Sequence, residues 1–124
     1  MRPLKLNKQI MQQLKPALYT ARNTIKREIE QGVSHLLTTR GGNLLVVLRP
    51  ERGEMVVVAV VGKNLKQSRQ EIIDYIKVLG FNTVRFHTRH PERLQKGLDG
   101  LFYWLAEVRS HMFGNDEYVF RLNI

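Results

Sequence analysis

The first thirty residues carry apolar side chains at intervals of three and four, a spacing that places them on one face of a helix. Pro16 interrupts this face, because proline lacks a backbone N–H and crowds the carbonyl four residues before it. The residue before it, Lys15, is also biased away from helical geometry. The pattern therefore predicts a short helix over 8–14 and a longer one over 17–31, ended by Gly32. The apolar positions are Ile10, Leu14, Leu18, Ala21, Ile25 and Ile29.

Three β-like runs follow, at 33–39, 43–49 and 54–61. The gaps between them are short and contain Gly or Pro, as antiparallel hairpins require, so we expect a three-stranded antiparallel meander. The second and third runs, which contain LLVVL and MVVVAVV, are apolar throughout. This composition is typical of strands covered on both faces, and it places these two strands centrally in the sheet.

A short basic loop then leads into a helix within the stretch VVGKNLKQSRQEI. Ser68 and Glu71 have the spacing of a capping box, and Asn64 with Gln67 offers the same arrangement one turn earlier. Gly80 is the predicted end of this helix. The buried stripe consists of Ile72, Ile73, Ile76 and Leu79.

The next segment, FNTVRFHT at 81–88, alternates as a strand does, with Val84 and Phe86 opposite Arg85 and His87. A strand, helix and strand of these lengths normally form a right-handed crossover. We therefore expect this strand to lie parallel to the preceding one, which makes the sheet mixed.

The last third of the chain contains one ambiguous segment. A helix is predicted over 92–99, but residues 101–113 fit both a helical and a strand period. Gly97 and Gly100 weaken a long helix, so we favour a strand over 104–113. A turn at 114–116 and a strand over 118–124 complete the predicted C-terminal hairpin.

Composition and charge narrow the class of protein. The 124 residues fit one domain, and 43% hydrophobic with 25% charged residues is typical of a folded globular chain. The net charge of +9 favours anionic partners, and the absence of cysteine excludes disulfides and thiolate chemistry. The longest apolar run, at 55–61, is far shorter than the about 20 residues of a membrane span, so we expect a cytoplasmic protein that does not act at a membrane.

Over nearly the whole chain, the order of predicted elements resembles the GCN5-related N-acetyltransferase (GNAT) family. The stretches KVLGFNTVRFHT (77–88) and HPERLQKGLDGLF (90–102) are similar to the helix end, strand and following helix of that family. The resemblance implies one GNAT-like domain over 1–124 of the α/β (α+β) class, in which two parallel strands splay apart beside the central helix. Small proteins of tailed phages and prophages are also similar in overall appearance.

In the GNAT family, the loop before the central helix carries a Gln/Arg-x-x-Gly-x-Gly/Ala motif that holds the pyrophosphate of coenzyme A. Glycines are needed there because the phosphates approach the backbone closely. Here the corresponding stretch has only Gly62, at its start, so we expect no cofactor. The alternative is acetyl-CoA bound by an unconventional loop. The residues that would then contact it are Lys63, Asn64, Lys66, Ser68 and Arg69.

The catalytic residues of the family have no well-placed counterparts. Family members often carry a carboxylate on the strand before that loop and a tyrosine in the helix after the parallel strand, and here only Glu54 and Tyr103 lie near those positions. Acyl transfer needs a base for the amine and an acid for the leaving thiol, so we assign no catalytic residue. We expect a phage or prophage protein of the host cytoplasm or virion that acts through macromolecular interaction. An acyl-CoA-dependent N-acyltransferase is the alternative.

A dense basic patch follows the parallel strand. Together with the basic loop it should flank the end of the sheet where α/β folds keep their crevice. A small nucleic-acid-binding protein is therefore a second alternative, with nucleic acid or a phosphorylated ligand as the anionic partner; a protein partner or a homo-oligomer is also open. The four histidines have no metal-ligand spacing, so we expect no metal site. The patch consists of Arg85, His87, Arg89, His90, Arg93 and Lys96.

Overall fold

The computed structural model describes residues 1–110, 114 and 116–124. In this part of the chain, seven strands form one mixed sheet in the order β1-β2-β3-β4-β5-β7-β6, which confirms the predicted α/β class. The strands are β1 (Arg2–Pro3), β2 (His35–Thr38), β3 (Leu44–Glu51), β4 (Glu54–Gly62), β5 (Thr83–Thr88), β6 (Tyr103–Arg109) and β7 (Glu117–Asn123). The helices are α1 (Lys8–Leu18), α2 (Arg22–Glu30), α3 (Leu65–Val78) and α4 (Gln95–Leu98), with 3₁₀ turns at Tyr19–Ala21 and Pro91–Arg93.

The predicted helix break at Pro16 is wrong. Helix α1 continues through Pro16 to Leu18, and the α-helix is interrupted instead by the 3₁₀ turn that follows. Pro16 lies in the last turn, where its missing N–H deprives only the exposed Gln12 carbonyl, which water can satisfy. Leu14 and Leu18 are both buried in one apolar cluster, and a continuous helix keeps them on the same face.

The predicted meander is confirmed, because β2, β3 and β4 pair antiparallel in sequence order. Strand β2 is shorter than the predicted 33–39, since the amides of Val33 and Ser34 bond to the Glu28 carbonyl at the end of α2. Strand β1 was not predicted; two residues are too short for a periodic signal, and they pair with β2 at the edge of the sheet.

The central position of β3 and β4 is also confirmed. One face of these strands packs against α3 in a cluster that includes Leu48, Met55 and Ile76. The other face packs against α1 and α2 in a cluster that includes Val47 and Ala59. Coverage on both faces explains why neither strand alternates in sequence.

Strand β5 lies parallel to β4, as predicted, but the two pair only over Met55–Val57. The register between β3 and β4 shifts at this point, so that Val58 is an extra residue in β4. A bulge of this kind bends its strand and increases the local twist. Beyond Val57, β4 runs on to Gly62 without pairing to β5, and the two strands diverge.

The C-terminal hairpin is present, with β7 placed between β5 and β6. The ambiguous segment forms strand β6 over Tyr103–Arg109, as predicted. Residues 111–113 of the predicted strand and residue 115 of the predicted turn lie outside the described residues. The helix predicted over 92–99 is wrong as a single element. It is divided into a 3₁₀ turn after His90 and the single turn of α4, in a segment that contains Gly97 and ends near Gly100.

Candidate functional site

A cleft of about 220 Å³ passes through the sheet where β4 and β5 diverge. Its two edges are residues 57–60 of β4 and 86–88 of β5. Helix α3 forms one wall, and Ala17 of α1 reaches the cleft from the opposite face of the sheet. The lining is mainly aliphatic and aromatic, and its polar side chains are those of Arg69, His87 and Thr88.

The loop from β4 to α3 connects two elements that line this cleft, and the glycine at its start serves the fold. A Cβ on Gly62, where φ is +139°, would lie 2.0 Å from the backbone oxygen of Asn43. The same oxygen accepts a hydrogen bond from the Lys63 amide at 3.1 Å. Gly62 is therefore required because the end of β4 touches the start of β3, whatever the loop binds.

Asn64 supplies a second glycine-like position. It adopts the left-handed conformation, with φ 64° and ψ 44°, which asparagine tolerates better than most residues. Helix α3 begins at the next residue. Its first intrahelical bond is donated by Ser68, so the amides of Leu65, Lys66 and Gln67 precede the hydrogen-bonded ladder. These three N–H groups point their dipoles toward any anion at the helix start.

The predicted capping boxes are wrong. Among the residues that the structure describes, no side chain caps α3 through its Ncap. Ser68 lies inside the helix, where its Oγ accepts a hydrogen bond from Asn43 Nδ2 at 2.9 Å. The Glu71 carboxylate instead binds the N-terminal amine of Met1 at 2.7 Å and the Arg40 amide at 3.0 Å. The bond from the N-terminal amine is the largest influence that lowers the pKa of Glu71.

The basic side chains of the loop have separate partners. Lys66 pairs with Asp99 at 3.1 Å, and Arg69 donates to the backbone oxygens of Gly97 and Asp99. These bonds tie α3 to α4 and to the residue that follows it, and Leu94, Leu98 and Leu101 of this region line the cleft. Lys63 is exposed and forms no ion pair within the described part of the chain.

The predicted basic patch does not form one open surface. Arg85 is 8% exposed, and its guanidinium binds Glu54 at 2.7 Å and Glu51 at 3.0 Å. His90 lies 3.4 Å from Glu92. Arg93 and Lys96 belong to the segment around α4, and Arg89 follows the end of β5. Carboxylates therefore neutralise part of the positive charge that the sequence suggests here.

His87 has both ring nitrogens engaged. Its Nε2 accepts a hydrogen bond from Arg85 Nε at 3.1 Å, and its Nδ1 lies 2.8 Å from Glu117 Oε1. Arginine can only donate, so Nε2 carries a lone pair and Nδ1–H donates to the carboxylate. Sequence analysis missed Glu117, which lies just outside the predicted last strand. The structure brings His87 and Arg69, from the two predicted basic groups, to the same cleft.

Glu54 and Tyr103 lie outside the cleft lining. The Glu54 carboxylate also accepts hydrogen bonds from Arg121 at 3.1 and 3.2 Å, and these bonds are the main cause that lowers the pKa of Glu54. Tyr103 packs against Phe86 and Phe120 with ring centroids 6.1 and 5.6 Å away. Both side chains therefore stabilise the sheet, although they lie near the positions where GNAT family members often carry a catalytic carboxylate and tyrosine.

Within 1–110, 114 and 116–124, no group of three His, Asp or Glu side chains converges as metal ligands do. No helix in that part of the chain has the length and apolar character needed to cross a bilayer.

Known structures share this architecture. Ribosomal-protein-S18-alanine N-acetyltransferase from Escherichia coli is similar over 98% of this chain and 92% of its own, with a TM-score of 0.59 and 14% identity. The chain has the GNAT acetyltransferase fold. An acetyltransferase from Bacillus cereus ATCC 14579 is similar over 100% of this chain and 99% of its own, with a TM-score of 0.52 and 14% identity. No family model and no curated protein matches the sequence, so the GNAT similarity is one of fold alone.

Proposed function

We propose that this GNAT-fold protein binds an acyl-coenzyme A in the cleft between β4 and β5 and transfers its acyl group to an amine. The observation that carries the proposal is the cleft itself, which lies beside the extra residue Val58 where β4 and β5 stop pairing. A structural protein gains nothing from such a gap, because unpaired strand edges and apolar surface beside water both cost free energy.

The residues around the cleft fit the parts of such a ligand. The aliphatic edges at 57–60 suit the slender acyl-pantetheine arm, and the amides of Leu65, Lys66 and Gln67 with the Lys63 ammonium suit its phosphates. Asn64 gives the loop a left-handed position, a conformation that glycine adopts most readily. When bound, the ligand would supply a thioester carbonyl: as the amide C–N bond forms, the C–S bond breaks and coenzyme A leaves as the thiolate.

His87 is the residue at the cleft that can accept the proton of the amine. Its Nε2 carries the lone pair, and Glu117 holds the ring in that tautomer. Arg85 now donates to Nε2, so this bond must break before the amine can donate to Nε2, while the terminal guanidinium nitrogens of Arg85 keep their bonds to Glu51 and Glu54. This assignment adds a base where the sequence alone offered none.

Calorimetric titration with acetyl-CoA tests the proposal. We expect stoichiometric binding that Val60→Phe, which fills the cleft, weakens at least about tenfold. Val78→Phe is the matched control, because Val78 is 85% exposed near the far end of α3. Absence of binding to the wild-type chain, or equal weakening in both variants, would contradict the proposal.

The other expectations stay predictions. An interaction-only role gains no support from the acetyltransferase neighbours, and the paired state of Arg85 and His90 weakens the argument for a nucleic-acid surface in that patch. Phage or prophage origin, a cytoplasmic location and the anionic partner have no observation that tests them.

A further inference from the structure

A second concavity of about 690 Å³ lies between the start of α1 and the end of α2, apart from the residues that line the β4–β5 cleft. Residues 4–7 and the start of α1 form one side, and α2 forms the other. Its apolar surface comes from Leu4, Leu6, Met11 and Ile29. We name this concavity the lysine groove. Its volume lies within the range of about 300–1,000 Å³ typical of ligand sites, so it is large enough for several side chains.

The lysine groove is strongly positive. Lys5, Lys8 and Lys26 line it, and none of them forms an ion pair with any residue that the structure describes. Glu30 is the one carboxylate in its lining. The other acidic residue of this region, Glu28, is bound to Arg49 at 3.0 Å and is turned toward the sheet network.

The surrounding elements reinforce this charge. Residues 1–31 carry seven Lys and Arg side chains against two Glu. The first turn of α1, which borders the groove, contains no acidic residue. The positive end of a helix dipole normally attracts acidic side chains, and here it adds to the lysines instead.

We propose that the lysine groove docks an acidic segment of a partner protein in which carboxylates alternate with aliphatic side chains. The lysines pair with the carboxylates, while the leucine, methionine and isoleucine surface receives the aliphatic groups. Nucleic acid fits less well, because the lining has no aromatic ring on which a base can stack. The concave shape is also unsuited to a flat bilayer surface.

A synthetic, fluorescently labelled decapeptide of alternating Glu and Leu is the probe, and fluorescence anisotropy at low salt is the measurement. Lys8→Glu with Lys26→Glu should weaken binding at least about tenfold, since two attractive charges become repulsive. The control is Lys15→Glu with Lys77→Glu, which makes the same change in net charge on exposed residues outside the groove. Met11→Gln, which removes part of the apolar surface with no change in charge, should weaken binding about threefold to tenfold.

Comparison probes decide between occupants. A decaglutamate peptide should bind more weakly than the alternating peptide, because it lacks the aliphatic groups. Equal loss in both double variants, equal affinity for both peptides, or tighter binding of single-stranded RNA or phosphatidylglycerol vesicles would overturn the proposal. Met11→Gln keeps the test valid if the groove double variant does not fold. The proposal does not depend on acyl-CoA binding, and either one can fail alone.

Discussion

At the scale of single residues, Gly62 at the end of β4 is under close steric control. At Gly62 the backbone takes a positive φ, and the position of a Cβ is occupied by the Asn43 oxygen. We expect Gly62→Ala to lower the free energy of unfolding by about 2–4 kcal/mol, from strain plus overlap. Gly53→Ala is the matched control, because φ there is +82° but nothing lies within 4 Å of its Cβ. The control should cost about 1–2 kcal/mol in urea unfolding, and equal losses would contradict the contact.

Glu54 links two arginines of neighbouring strands. Its folded-state pKa lies below the ordinary value of 4.5, so its contribution to stability is present above that pH and is lost as the pH falls through the folded-state pKa. Glu54→Gln should cost about 1–2 kcal/mol at pH 7, less than a fully buried pair because Arg121 is one-third exposed. The difference should shrink progressively as the pH falls below the ordinary value of 4.5. Glu30→Gln, at an exposed position, should change the free energy of unfolding little. If Glu54→Gln remained less stable than the wild-type chain in acid, the stability could not come from the ionised Glu54 carboxylate.

His87 is the residue on which the proposed chemistry depends. His87→Gln should lower the rate of acyl transfer about 100-fold with little change in acetyl-CoA affinity, since general base catalysis is typically worth 10²–10⁴. A thiol reagent can follow the coenzyme product directly, because the chain has no cysteine of its own. Glu117→Gln should also lower the rate, because it weakens the bond that holds the His87 tautomer. An unchanged rate in His87→Gln would remove this residue from the mechanism.

At the scale of elements, α3 holds the segment around α4 through Arg69 and Lys66. Arg69→Gln removes the bonds to the carbonyls of Gly97 and Asp99, so the amides of Leu98 and Leu101 should exchange with solvent faster. Lys77→Gln on the same helix is the control. Hydrogen exchange followed by NMR measures both, and unchanged exchange in Arg69→Gln would show that the leucines alone hold this segment.

Local pattern predicted most elements because their signals are short-range. The meander, α3 and the last strand follow from periods of two and 3.6 and from turn residues. The prediction at Pro16 was wrong because the free-energy cost of a proline in a helix depends on whether the carbonyl that loses its hydrogen bond is buried. Burial depends on the tertiary structure and not on the local pattern. The predicted caps of α3 were wrong because of another contact that the local pattern does not contain. The Ser68 hydroxyl is bound by Asn43, which lies 25 residues earlier in the chain.

At the scale of the whole molecule, the candidate site arises from register rather than composition. The bulge at Val58 falls within an uninterrupted apolar run, where no residue type distinguishes it. The bonds of Arg85 to Glu54 and of His87 to Glu117 join positions about 30 residues apart. Sequence could therefore identify basic residues near the cleft but could not tell which of them are neutralised.

The position of the ligand is the central claim, and NMR titration of the ¹⁵N-labelled chain with acetyl-CoA tests it most directly. We expect the largest shifts in the amides of Leu65, Lys66 and Gln67, in residues 57–60, and at His87 and Thr88. Coenzyme A without the acyl group should change the chemical shifts of the α3 amides as much as acetyl-CoA does. It should change those of the cleft edges less. Shifts confined to other surfaces, or no shifts at millimolar ligand, would contradict an acyl-CoA site between β4 and β5.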